Sequence, residues 1–494
     1  MAWTIRPIFR HPPELLSGYM MTMLKFGRSI TLRLGALATA SVLALGAASA
    51  VQAETLNEAI RMAYSQNPTL ARARASQRAA DERYVQTRSE FGPSLSVGGS
   101  VNYTDTDTSF QPGNQRSNTS LSLNADQNIF TSGGLTNSLR ASEANIRAGQ
   151  QDLRSTESQV LLDVIQVYTA VRRDQQALKI SQDNYDILKQ QLEQTQAQFD
   201  AGQLTRTDVA QSQARLSASA ASLAQAQAQL DADRAQYIAI VGQAPIGLEA
   251  EPVLPGLPAD FNAALDIAER NNPDLQASHY AEDAAKANLG AARSVFGPTV
   301  ALGAQYSGTT PTDDLGGFGD SAGATATLRF SVPLFSAGLN GSRVREAAEN
   351  YNAQKISTEI TRRAVVSSVS QSWSQMISAR SAVSSNQEQV RAAQVAAEGV
   401  KTEQQVGLRT NIEVLNAQQE LKSAQLQLLE AERTQYVAAS QLLSVMGGLT
   451  VQAFVPDMDV YDPQENFNNV KSKGWTPLEP VARSLDGLVA GGNK

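Results

Sequence analysis

The sequence predicts a mixed fold of α-helices and transmembrane β-strands. Long antiparallel helical hairpins form an α-barrel, and four strands per chain contribute to a β-barrel shared between chains. Three observations predict it. The 494-residue chain repeats itself at a fixed offset of 205 residues. Each copy holds a pair of alternating apolar/polar segments about ten residues long, the pattern of strands with one face in lipid. Each copy then runs on without proline far enough for two very long helices.

The repeat is read from matched residues. Asn67-Pro68 recurs as Asn272-Pro273, and Phe91-Gly92-Pro93 as Phe296-Gly297-Pro298. Phe130 and Gly133 recur as Phe335 and Gly338, Gly202 as Gly407, and Gly242 as Gly447. A period this long marks a duplicated structural half rather than a solenoid unit. The boundaries read as a leader at 1–53, a first repeat at 54–248, a second at 249–448 and a tail at 449–494.

The leader reads as an export signal. Lys25, Arg28 and Arg33 are basic, Leu34 to Ala50 is apolar, and Val51-Gln52-Ala53 is a small-residue cleavage site that makes Glu54 the first mature residue. Cleavage after Ala50 and a membrane anchor are the alternatives. Residues 1–19 fit neither, so translation from Met20, Met21 or Met23 is an open expectation. Beyond residue 53 no apolar run approaches 18 residues, so a membrane span there has to be a β-barrel.

Each repeat opens with a short amphipathic helix, Leu56 to Ser65 and Phe261 to Glu269. Asn-Pro breaks it, and proline starts a second helix that Phe-Gly-Pro ends. The strands follow. Leu95, Val97, Val101 and Tyr103 alternate with polar or small residues, as do Val300, Leu302, Ala304 and Tyr306. The return strands carry Leu121, Leu123, Ala125 and Ile129, and Ala326, Leu328, Phe330 and Leu334. The connections, Asp105 to Arg116 and Gly308 to Ala322, read as exposed turns. A soluble sandwich fragment is the rival reading, but two hairpins 200 residues apart make a poor sandwich.

The long helices carry heptads: Leu178, Tyr185, Leu192 and Phe199; Val209, Leu216, Leu223, Leu230 and Tyr237; and Val414, Leu421, Leu428 and Leu442. That spacing predicts helices wound as coiled coils. Their Ala, Gln and Ser flanks suit a wall of helices. The hairpins turn at Ala201 to Thr205 and at Val406 to Thr410, each with a glycine suited to a helix C-terminus. The tail, rich in Pro, Asn and Asp, reads as irregular.

Composition excludes several classes. The formal charge is -7, and no Lys/Arg cluster interleaved with aromatics appears, which argues against nucleic acid. There is no cysteine, and the two histidines, His11 and His279, lie far apart. No phosphate loop, nucleophile motif or His/Cys/Asp cluster is present, so the reading is of a protein without catalysis, cofactor or metal. Four strands cannot close a membrane barrel, so either the strands are not in a membrane or several chains share one barrel, two chains supplying eight strands and three supplying twelve.

With the repeat, both Asn-Pro and Phe-Gly-Pro motifs, the Phe-x-x-Gly entries and both tips in register, the chain resembles the TolC family of outer membrane efflux proteins over about residues 54–448. The resemblance implies a homotrimer with a twelve-stranded outer membrane barrel and a twelve-helix periplasmic tunnel. It implies docking onto a periplasmic adaptor and an inner membrane ABC or RND transporter, for efflux or type I secretion. Lipoprotein members of the family carry an N-terminal cysteine, which this sequence lacks. By the same resemblance Asp208, Arg409, Glu413 and Asn416 are expected at the periplasmic gate; Asn416 departs from the family's usual acidic residue. Gly202, Leu204, Thr205, Gly407, Leu408 and Thr410 are expected to meet the adaptor. Tyr103 and Tyr306 are expected in an aromatic belt facing outer membrane lipid. The competing reading is a structural periplasmic coiled-coil protein without a pore.

Overall fold

A computed structural model of the chain describes residues 54–108, 111–313 and 321–490. The leader with its cleavage site and the centres of both strand connections lie outside the described residues. Two runs of the same elements follow one another. The first is α1 (Leu56–Gln66), α2 (Pro68–Ser89), β1 (Ser94–Thr108), β2 (Gln111–Phe130), α3 (Gly134–Asp200) and α4 (Arg206–Val241). The second is α5 (Phe261–Asn271), α6 (Pro273–Ser294), β3 (Thr299–Pro311), β4 (Gly323–Ser331), α7 (Leu339–Gln405) and α8 (Asn411–Val445). Both α3 and α7 have 67 residues, so each extends roughly 100 Å. No described helix is long and apolar enough to cross a membrane.

The Asn-Pro motif does two jobs. The side-chain oxygen of Asn67 caps α2 by accepting from Thr69 N, and proline fills the first helical position, where no N–H is needed. Its side-chain nitrogen donates to Ile240 O at the end of α4, at 3.0 Å. Asn272 does the same, capping α6 through Leu275 N and donating to Val445 O of α8 at 2.8 Å. Thus α2 stacks end to end on α4, and α6 on α8. The orphan carbonyls of one helix and the orphan amides of the next are served by a single side chain. The α2/α4 and α6/α8 columns both pack on α3, and the α6/α8 column also packs on α7. The column order is therefore α2/α4, α3, α6/α8, α7.

The strands keep the same chain order. They form one antiparallel sheet, β1-β2-β3-β4, in which β2 and β3 join the two repeats. Directly opposed residues share a face. Val97, Leu123, Tyr306 and Ala324 form one such row, and Leu302 and Leu328 lie opposite each other in the next but one. Leu95, Val97, Val101, Tyr103, Leu121, Leu123, Leu302, Tyr306, Leu328 and Phe330 all belong to this face and are exposed. The opposite face carries Ser96, Ser100, Asn102, Ser120, Ser122, Asn124, Gln305, Ser307 and Thr325. Ser100 and Ser120 bridge there at 2.7 Å. Apolar on one side and polar on the other, the sheet is open, with β1 and β4 unpaired at its outer edges among the described residues.

Two expectations need correction. The first connection is far shorter than Asp105 to Arg116, because β1 continues to Thr108 and β2 begins at Gln111. Polar residues here sit in paired strands, where the ladder rather than side-chain polarity decides the conformation. The tail is not irregular. It holds α9 (Val451–Phe454), α10 (Pro463–Val470) and α11 (Glu479–Ala490), folded back on the first repeat. Arg88 forms a buried pair with Glu479, at 2.5 and 2.7 Å, and also donates to Lys471 O. Tyr84 and Phe467 meet edge to face. Asp486 caps the start of α3, accepting from Thr131 N, Gly133 N and Thr136 N at 2.7, 2.9 and 3.0 Å and from both threonine hydroxyls. Burial pushes its carboxyl up, but these bonds outweigh burial and hold it below the ordinary value.

The largest apolar core lies at mid-height. Leu56, Ile60, Tyr64, Val164, Ile165, Tyr168, Tyr237, Leu443 and Phe454 meet there, joining α1, α3, α4, α8 and α9. It anchors Glu54, whose carboxylate accepts from the Tyr237 hydroxyl at 2.7 Å and Gln243 Nε2 at 2.9 Å.

Candidate functional site at the hairpin tips

Both hairpins turn by the same local chemistry. After α3, Gly202 takes φ +77°; Gly202 N donates to Phe199 O and Gln203 N to Gln198 O. After α7, Gly407 takes φ +78°; Gly407 N donates to Gln404 O and Leu408 N to Glu403 O. This bond pair closes a helix end around a left-handed residue. Nothing lies within 4 Å of where a Cβ would stand at either glycine, so backbone conformation, not crowding, selects glycine. The next helix starts at once. Thr205 and Asp208 form a reciprocal capping box on α4, and Thr410 and Glu413 form one on α8.

The tips then diverge. Arg409 reaches across its own turn, donating to Glu403 of α7 at 2.8 Å and to Glu413 of α8 at 2.9 Å. Its counterparts in the first tip are Leu204 and, for Glu403, Gln198, so no ion pair forms there. The Thr410 backbone and hydroxyl, with Arg409, hold the Glu413 carboxyl down to about 2. Glu403 and Glu413 hold the Arg409 guanidinium above its ordinary value. Within one chain Arg409 is not brought to Asp208, whose carboxylate serves Thr205. Asn416 accepts from Arg215 Nη2 at 2.8 Å, tying α8 to α4. Leu408 is among the most exposed apolar side chains, Gly202, Thr205, Gly407 and Thr410 are exposed, and Leu204 is half-buried.

Behind the tips lies a buried polar layer that the sequence reading missed. Gln191 Nε2 of α3 donates to Asn411 Oδ1 of α8 at 2.9 Å, and Asn411 Nδ2 donates to Ser212 Oγ of α4 at 2.9 Å. Ser212 Oγ donates to Thr195 Oγ1 at 3.3 Å, and Thr195 Oγ1 to Gln191 O at 2.7 Å. One level up, Asn184 donates to Ser219 Oγ at 2.8 Å. The buried positions of α3 here are Ser181, Asn184, Leu188, Gln191 and Thr195. Their spacing of three and four is heptad-like, as expected, but the row is displaced from Tyr185, Leu192 and Phe199. The signal was present as paired polar residues, but an apolar search passes over it.

On the sheet, Tyr103 and Tyr306 share the apolar face but not a row. Tyr103 lies opposite Ser117 and Tyr306 opposite Leu123, so they are separated by about 20 Å along the strands.

Comparison with known proteins agrees with this geometry. The family model described as Outer membrane efflux protein matches residues 59–243 and 264–448. Outer membrane efflux protein BepC of Brucella suis biovar 1 is 30% identical over 452 residues, 90% of this chain and 98% of that protein. Outer membrane protein TolC of Escherichia coli strain K12 is 26% identical over 465 residues, 88% of this chain and 93% of that one. Among solved structures, the Campylobacter jejuni CmeC outer membrane channel matches with a TM-score of 0.73 at 16% identity, covering 87% of this chain and 91% of that one. At that identity the likeness is one of fold.

Proposed function

This chain belongs to the outer membrane efflux protein family, and we propose that three copies of it close head to tail into one tube. It is an outer membrane exit duct, receiving cargo from an inner membrane ABC or RND transporter through a periplasmic adaptor. The observation that carries the trimeric reading is the shared order of strands and helix columns. Both layers are open at the same two ends, β1 with α2/α4 and β4 with α7. A slab whose two edges differ joins head to tail and closes as a ring. Three copies supply twelve strands, within the known range of membrane barrels. The apolar face then meets lipid, and the Ser/Asn/Thr face lines the lumen. Tyr103, at the far end of the apolar face, suits the membrane interface; Tyr306 lies deeper in the band.

Gly202, Leu204, Thr205, Gly407, Leu408 and Thr410 form the surface offered to the adaptor. At the gate, the Glu403–Arg409–Glu413 strap stiffens the second tip, and Asp208 faces the neighbouring copy's second tip. The Gln191–Asn411–Ser212–Thr195 layer holds the two tips of one copy together. Exchanging such hydrogen bonds for water costs only about 0.5–1.5 kcal/mol each. A polar layer therefore lets the second hairpin swing away at a cost that adaptor binding can supply.

Cleavage after Ala53 is supported by Glu54, whose nitrogen donates to both Ile246 O and Gly247 O, at 3.1 and 2.9 Å. A terminal ammonium can serve both acceptors at once. The test of the duct reading is a band that migrates as a trimer in SDS until heated, together with conductance in planar bilayers. A monomeric soluble protein without conductance contradicts it.

A further inference from the structure

We propose that α11 is an interfacial membrane anchor, lying in the periplasmic leaflet of the outer membrane with its apolar stripe among phospholipid acyl chains. The inference rests on the reading of the sheet as membrane-spanning. Glu479, Ala482 and Asp486 form the buried row of α11. That row is fastened by the Arg88 pair and by the cap on α3. Stepping 100° per residue, Leu478, Val481, Leu485, Leu488 and Val489 fall on a separate face, while Arg483, Ser484 and Gly487 fall on another. All five apolar residues of that stripe are exposed, Leu488 at 77%. The helix is therefore clamped through one face while a continuous apolar face stays in water, an arrangement that marks an interaction surface.

Position selects lipid as the occupant. The helix crosses the foot of the sheet, from Thr476 beside Gly92 to Ala490 beside Gly133. It packs on β2, and its Asp486 accepts from Thr131 N just past the end of that strand. Gln127, in phase with Leu121, Leu123 and Ala125, bonds there to Phe91 O, and Phe91 shares a cluster with Ala482 of α11. The stripe thus continues the apolar band of the sheet at its periplasmic end. The helix ends against α3, an interior column rather than an edge where copies meet: Ala490 lies beside Gly133 and accepts from Arg140 Nη1 at 3.1 Å. The exposed Lys471, Lys473 and Arg483 and the exposed Trp475 are the cations and aromatic ring that suit a phosphate headgroup layer.

The cysteine-free sequence makes the test direct. Single variants Leu485→Cys, Leu488→Cys and Ser484→Cys, in the full exported chain, are labelled with an environment-sensitive fluorophore. They are reconstituted in phosphatidylethanolamine/phosphatidylglycerol vesicles, with Val97→Cys and Leu328→Cys marking the apolar face of the sheet. The expected result is that a lipid-attached quencher lowers emission at 485 and 488 by about half or more, as at 97 and 328, while aqueous iodide quenches 484. Iodide quenching of 485 and 488 equal to that of 484, with 97 and 328 still in lipid, overturns the anchor alone. Shielding of 485 and 488 from both quenchers overturns it in favour of a second copy of the chain. Failure of lipid quenching at 97 and 328 removes the membrane-spanning sheet, and the anchor with it.

Discussion

The start of α3 and the start of α7 carry one motif, Phe-x-x-Gly, in opposite surroundings. Gly133 and Gly338 take φ +86° and +85°, and neither helix has a capping side chain at its own first position. At α3 the tail completes the site: Asp486 serves the orphan amides, and Phe130 is half-buried. At α7 no tail arrives, and Leu334 and Phe335 stand 93% and 90% exposed. The same contrast runs down the hairpins. Leu443 of α8 is 2% exposed, whereas its counterpart Ile238 of α4 is 44% exposed. Local sequence builds both copies alike; what differs is what the rest of the chain lays against each of them. The bare positions are therefore where a neighbouring copy is expected.

The contrast can be broken from either side. The largest effect is expected at the covered site. Glu479→Ala leaves Arg88 buried without its partner and is expected to destabilise the fold by about 3–5 kcal/mol, read from denaturant midpoints. A loss below 1 kcal/mol would mean that the tail merely rests on the surface. At the bare site, Phe335→Ser is expected to abolish the heat-labile trimer while shifting monomer stability by no more than about 0.5 kcal/mol. A lowered monomer midpoint with the trimer intact would reverse the assignment.

A third test concerns the junction of α3, α4 and α8. Arg173 bridges Asp174, Asp233 and Glu430 at 2.6, 3.5 and 2.7 Å, and Asp174 Oδ2 is buried with no donor facing it. Burial, then the neighbouring Asp233 carboxyl, push Asp174 from 3.8 up to about 6, against the pull of Arg173. A raised acid binds its proton better folded than unfolded. Its contribution is full below about 4, declines as pH rises, and is lost above about 6. Asp174→Asn should therefore gain on the parent progressively between about pH 4 and pH 6 and hold that gain at higher pH. A difference that does not change with pH rules out a raised Asp174. Arg409→Ala is expected to leave stability essentially unchanged, because that strap is exposed and screened by solvent. Its readout is conductance, expected to rise; an unchanged current removes Arg409 from the gate.

Much of this was legible in the residues. Asn-Pro, Phe-Gly-Pro and the tip glycines each impose a local conformation, so finding them twice at one offset fixed the order of elements. The strand faces were legible because successive side chains of a strand point to opposite faces, so alternation directly marks the two sides of the sheet. The polar layer at Gln191, Thr195, Ser212 and Asn411 was not. In a wall one helix thick, each helix is touched on its flanks, and hydrogen-bonded side chains fill those seams as well as leucine does. The tail was misjudged for a related reason. Arg88, Glu479 and Asp486 look like surface residues until partners hundreds of positions away supply their bonds. Arg409 was legible as a difference between the tips, but not its link to Glu403.

The central claim is that α7 of one copy meets α4 of the next as α3 meets α8 within a chain. Ser158 Oγ of α3 and Ser444 Oγ of α8 lie 3.0 Å apart. The offset of 205 carries that pair to Arg363 on α7 and Ala239 on α4, both exposed and on opposite edges of one chain. The variant Ala239→Cys/Arg363→Cys, oxidised in its assembled state, should run on heated, non-reducing SDS gels as a covalent trimer that reductant returns to monomer. A trimeric preparation that oxidises only to monomers, with both thiols free, would contradict the head-to-tail closure.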